Sequence, residues 1–65
     1  MSLPLAAMER ILKNAGVDRV SEEAKVTLKE ILEEYADNLG KRAWEIAKHS
    51  KRKTVKSGDL KLATK

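Results

Sequence analysis

From Ser21 to about His49 the stretch "SEEAKVTLKEILEEYADNLGKRAWEIAKH" holds no proline, and Gly40 is its only weak point for a helix. At about 1.5 Å per residue such a helix runs roughly 40 Å. Spaced at helical intervals, Ala24, Leu28, Ile31, Leu32, Tyr35, Leu39, Ala43, Ile46 and Ala47 make one broad apolar stripe. Glu23, Glu30, Glu34, Asp37, Lys41, Glu45 and Lys48 make the opposite face. Val26 and Trp44 lie off the stripe, about five turns apart and on one side, so each end of the helix has a second side to bury.

The flanking segments are too short to cover that stripe. "LPLAAMERILKNAG" places Pro4 where a first turn tolerates it, then Leu5, Met8, Ile11, Leu12 and Ala15 at spacings of three and four, with Gly16 as the stop. "VDRV" is a brief β-prone strap, and Ser21 then caps the long helix, with Glu22 and Glu23 at its positive end. The last segment, "SGDLKLATK", reads as a short third helix with Ser57 as N-cap, Asp59 in the first turn and Leu60 and Ala63 apolar. Two short helices leave much of the stripe bare, so something outside the chain has to cover it. A second copy crossing at the long helix is the simplest solution. A coiled coil fits less well, because the stripe is wider than a two-position seam and Gly40 interrupts it.

Composition points the same way. Sixty-five residues form at most one domain, here 1–65, near the size at which folding removes only about 60% of the unfolded surface. There is no cysteine and a single histidine, so neither a disulfide nor a structural zinc site is available, and oligomerisation is the remaining means of stabilisation. The N-terminal stretch does not resemble a signal peptide, no apolar run reaches membrane-spanning length, and a cytoplasmic protein is expected. Net charge is +4, but it is unevenly placed: +1 over residues 1–20, −2 over 21–50 and +5 over 51–65. An anionic partner is favoured.

The basic excess centres on "HSKRKTVKSGDL", residues 49–60, which is open to two readings: a solvated loop or a surface for a polyanion. Lys25, Lys29, Lys41 and Lys48 are expected to add solubility and i,i+4 pairing along their own helix and little else. Arg42 falls within the angular range of the stripe, with no account beyond pairing with an acid of a partner helix. His49 has no nucleophile or metal-ligand partner, so no enzyme chemistry, cofactor, metal or small-molecule substrate is expected. Tyr35 and Trp44 read as core, because two aromatics on one helix make no stacking platform for single strands.

At this point two stretches make a specific resemblance. "LPLAAMERILKNAGVDRVSEEA" and "AKHSKRKTVKSGDLKLA" resemble the most characteristic segments of archaeal histones, with RVS in the first strap and RKT in the second. The resemblance covers essentially the whole chain. It implies an all-α histone fold (short helix, strap, long helix, strap, short helix) and a handshake homodimer in which the strap around Arg19 and Val20 pairs with the partner's strap around Thr54 and Val55. It also implies double-stranded DNA as ligand, wrapped and bent on the dimer surface with little sequence preference, and association with the chromosome.

The same resemblance assigns residues. Arg19 would enter the minor groove beside Thr54, while Arg10, Lys13, Lys53, Thr54 and Lys56 would face the DNA backbone. Arg52 and Asp59 would form a structural salt bridge. Ile46, His49, Asp59 and Leu62 would join dimers into tetramers or filaments, His49 pairing with Asp59 across that contact, and a paralogous histone is a further possible partner. Gly16 would permit close approach of stacked DNA turns. The chain departs from the family pattern at Ala7 for a second proline, at Ser50-Lys51 for Ala-Gly, and at Gly58 for an acid. Lys51 is therefore expected to take the left-handed position that a glycine would fill. The competing reading is a histone-fold component of a transcription-factor-like heterodimer, which would more often lack the Arg19 and Thr54 pair. A ribbon-helix-helix or helix-turn-helix regulator has the wrong helix lengths.

Overall fold

The computed structural model describes residues 3–65, so the first two positions of the expected 1–65 domain lie outside it. The described residues form α1 (Leu5–Asn14), α2 (Glu22–His49) and α3 (Ser57–Ala63), with no strand among them. The chain groups into two compact units, the first ending at Glu34 and the second comprising Tyr35–Lys65. The helix α2 is continuous through Gly40. No helix of the described residues is long and apolar enough to cross a membrane.

In the first unit, Pro4 stands just before α1 as its N-cap in extended backbone, and its carbonyl accepts the Ala7 and Met8 amides at 3.2 and 3.3 Å. The Leu3 amide donates to the Glu33 carboxylate at 3.2 Å, which fixes the approach to α1. Gly16, at φ +98, ends the helix: its amide bonds the Lys13 carbonyl at 3.0 Å and the Val17 amide bonds Leu12 at 3.1 Å. This pair of bonds is a Schellman stop, which satisfies the last carbonyls and explains the glycine. Ser21 caps α2 as expected, with the Ala24 amide donating to its Oγ at 3.0 Å.

Lys25 corrects the sequence reading. Its Nζ lies 2.7 Å from Glu22 and 3.5 Å from Glu9, so it ties α1 to α2, and only 13% of its side chain is exposed. The Glu22 hydrogen bond, helped by the Glu9 charge, raises its pKa above the ordinary lysine range. Helical spacing shows the Glu22 contact but not the one from another helix.

In the second unit Ala43, Ala47 and Ala63 are buried, which lets backbones approach closely at the end of α2. There α2 closes on a second Schellman stop: the Lys51 amide bonds the Lys48 carbonyl at 2.8 Å and the Arg52 amide bonds the Ala47 carbonyl at 2.9 Å. Lys51 takes φ +59, the expected left-handed position. A side chain there costs about 1–2 kcal/mol relative to glycine, while glycine loses about 0.5–1 kcal/mol more entropy on folding. Lys51→Gly is therefore expected to stabilise the protein by about 0.5–1 kcal/mol, read as a higher melting temperature.

The cap of α3 differs from expectation. Lys56 is the N-cap in extended backbone and Ser57 is already the first helical residue. Asp59, at the third helical position, reaches back to accept the Lys56 amide at 2.8 Å, the bond that an acid at this position makes in a capping box.

Most of the large apolar side chains remain open in the single chain. Met8 is the one large hydrophobic side chain fully buried among the described residues. Val26, Tyr35 and Trp44, expected as core, are 40%, 53% and 39% exposed. The chain by itself does not supply the cover its pattern requires.

Candidate nucleic-acid interface

The second strap is built around one guanidinium. Arg52 grips Asp59 with two parallel hydrogen bonds, Nη1 to Oδ2 at 2.9 Å and Nη2 to Oδ1 at 2.7 Å. Nη1 also donates to the Thr54 carbonyl at 2.9 Å. Asp59 is 4% exposed and accepts the Lys56 amide as well. One carboxylate thus holds the strap at Arg52 and at Lys56, on both sides of Thr54 and Val55. The paired Arg52 hydrogen bonds, with the Lys56 amide, hold the Asp59 carboxyl at a pKa of about 2.

What this brace leaves outside is Lys53, Thr54 and Lys56, all exposed. The Thr54 backbone is fixed by Arg52, while its hydroxyl has no hydrogen-bond partner among the described residues. The Lys53 ammonium likewise has no ion-pair partner among them. A rigid strap presenting a free hydroxyl between two lysines has the donor chemistry for phosphate oxygens.

In the first unit Arg10 and Arg19 are exposed, without ion-pair partners among the described residues, and Arg19 lies in the first strap. Lys13 is also exposed, but its ammonium donates to the Asp18 carbonyl, which steadies that strap. The expected DNA residues therefore divide into Arg10, Lys13 and Arg19 in the first unit and Lys53, Thr54 and Lys56 in the second.

The residues expected between dimers are only partly gathered. Ile46, His49 and Leu62 line one open groove of about 500 Å³, together with Glu45 and Ser50. Leu62 is 57% exposed and His49 is exposed. Asp59 does not line it, being buried on Arg52. Glu45, which the sequence places on the polar face of α2, also lines it. The described residues contain no cluster of acids or histidine suited to a metal ion.

A short–long–short trio of helices, joined by two straps and with the second strap braced from α3, defines a histone-fold protein. Residues 1–64 match the model of the family described as histone-like transcription factor (CBF/NF-Y) and archaeal histone, and the chain belongs to that family. It is similar to one of the subunits of the archaeal histone HAN1 of Thermococcus zilligii, 52% identical over 63 residues, covering 97% of this chain and 94% of that protein. It is also similar to "Probable archaeal histone 3" of Methanocaldococcus jannaschii, 51% identical over 61 residues, 94% and 91% of the two chains.

Proposed function

We propose that this chain is a histone that binds double-stranded DNA as a homodimer, bends it over the dimer surface and compacts it with little sequence preference. The whole chain acts as one histone-fold domain, in keeping with the family match over residues 1–64. The observation that carries the proposal is the second strap: Arg52 spends its charge internally on the buried Asp59 carboxylate and leaves Lys53, Thr54 and Lys56 facing out. Two α2 helices cross in a handshake that covers the exposed apolar side chains. That pairing sets the strap of Arg19 beside the partner's strap of Thr54 and completes a site that neither copy holds alone.

The mechanism is neutralisation and bending. Arg10, Lys13, Lys53 and Lys56 displace counterions from phosphates, which favours binding through the entropy of the released ions. Arg19 inserts into the minor groove where it faces the protein, next to the Thr54 hydroxyl, and gains from the negative potential of a narrowed groove. None of these contacts reads a base in the major groove, so any positional preference comes from how easily the DNA bends. Ile46, His49 and Leu62 join dimers end to end, with Asp59 steadying α3 beneath them. The reading as a heterodimer component that touches DNA little is disfavoured by the presence of Arg19 and Thr54 together.

The test is a salt titration of binding to random-sequence duplex DNA. Each phosphate contact contributes about 0.9 to the slope of log affinity against log salt, so Lys53→Ala should lower the slope by roughly 2 per dimer. Arg19→Ala and Thr54→Ala should each weaken binding with the dimer intact by sedimentation. A flat salt response, or unchanged affinity in Arg19→Ala, would remove this interface.

A further inference from the structure

Among the described residues Lys51 alone holds a positive φ without being glycine, +59, at the left-handed stop that ends α2. A side chain is strained there, and strain kept at one position points to a function. Nothing within the chain offsets that cost. Lys51 is exposed, and its ammonium has no ion-pair partner among the described residues. The nearest acids in the sequence are taken: Glu45 holds Lys48 at 2.9 Å, and Asp59 holds Arg52 at 2.7 Å. The negative end of the α2 dipole does not single out this position either, because Lys48 and His49 already place basic side chains in the last turn.

We infer that Lys51 is a further phosphate contact of the DNA interface, and that the strained stop of α2 is kept because it sets a cation beside the second strap. The inference rests on the DNA-binding reading proposed above and extends its site by one residue in each copy.

Three features place Lys51 at that site. It stands two residues before Lys53, so their Cα atoms lie within about 7 Å and both ammoniums reach one run of phosphates. Its backbone is fixed on both sides: the Lys51 amide donates to the Lys48 carbonyl at 2.8 Å, the Arg52 amide donates to Ala47 at 2.9 Å, and the Arg52 guanidinium is locked on Asp59. A cation on a fixed backbone has less freedom to lose on meeting a phosphate than one on a mobile segment. The third feature is charge. Arg52 and Asp59 neutralise each other, which leaves residues 51–65 with Lys51, Lys53, Lys56, Lys61 and Lys65 and no remaining acid. Lys51 opens that run, and through it the cationic surface of the strap continues to the end of α2.

Salt titrations of binding to random-sequence duplex DNA, paired with thermal melts of the same variants of the full chain, test it. Lys51→Gly should lower the slope of log affinity against log salt by roughly 2 per dimer, at about 0.9 for each phosphate contact, while melting higher than wild type. Weaker binding by a more stable protein cannot come from misfolding. Lys51→Asn, which tolerates the left-handed region but carries no charge, should lower the slope as much, and Lys51→Arg should keep it. Lys41→Asn is the control for net charge, since Lys41 is exposed and paired with Asp37 at 3.0 Å; its slope should equal that of wild type. A wild-type slope in Lys51→Gly overturns the inference and leaves Lys51 as a helix-end cation. A drop as large in Lys41→Asn overturns it too, because the effect would then follow total charge and not place. Lys53→Ala keeps the two readings apart. A slope lowered by Lys53→Ala alone leaves the strap interface standing and removes Lys51, whereas a slope moved by neither removes the interface itself.

Discussion

Asp59→Asn should lower the melting temperature by on the order of 10 °C, the largest effect expected of a single polar change in this chain. The reason is that three donors converge on one buried carboxylate: Nη1 and Nη2 of Arg52 and the Lys56 amide. The asparagine keeps the shape but has one acceptor oxygen, and it turns its amide group toward one arm of the guanidinium. An arginine charge half withdrawn from water is then left without its counterion, which is the costly way to break such a pair. The Lys56 amide at the start of α3 loses its acceptor in one of the two amide orientations, and the Thr54 carbonyl loses a firmly held donor. Thermal melts at neutral pH measure the loss. An unchanged melting temperature would mean that the strap is held by something other than this brace.

The same pair predicts an acid limit. Because the folded Asp59 carboxyl is lowered from 3.8 to about 2, its contribution is present above pH 3.8 and lost as pH falls toward 2. Wild-type stability should decline through that interval, and Asp59→Asn should decline less steeply, having no proton to take up there. Arg52→Lys should fall between the two, since an ammonium keeps the charge but cannot make the paired hydrogen bonds.

How much of this was legible depended on whether one chain contains the cause. The helices were legible because their determinants are local: Gly16 and Lys51 occupy the left-handed stops where the pattern placed them, and Ser21 caps α2. The α3 cap was misplaced at Ser57 because an acid farther along the chain can reach back, and spacing does not show which side chain wins. Lys25 was undervalued for a related reason, since its Glu9 partner comes from another helix. Glu45 read as part of the polar face of α2, and only the packing of α3 shows that it lines a groove with Leu62. The straps read as β-prone yet form no strand among the described residues. Strand pairing needs a neighbour, and by the proposed handshake that neighbour is another copy.

Ile31→Lys should unfold the protein under ordinary conditions, although the single chain gives no reason why it should. In the first unit Ile31 is 57% exposed, and on that footing a lysine there would change stability within about 0.5 kcal/mol. If instead a partner covers the side chain, the change removes about 1.5–3 kcal/mol of apolar burial from each copy and introduces a desolvated ammonium twice over. A domain of this size is too marginal to absorb that loss. Mass action gives an independent measure: a dimer that forms only on folding gains about 1.4 kcal/mol for each tenfold rise in protein concentration, so the wild-type melting temperature should climb by several degrees. A monomer would show neither effect. An Ile31→Lys variant that melts like wild type, with no dependence on concentration, would require the apolar face of α2 to meet solvent, and the pairing of Arg19 with the partner's Thr54 strap would lose its physical basis.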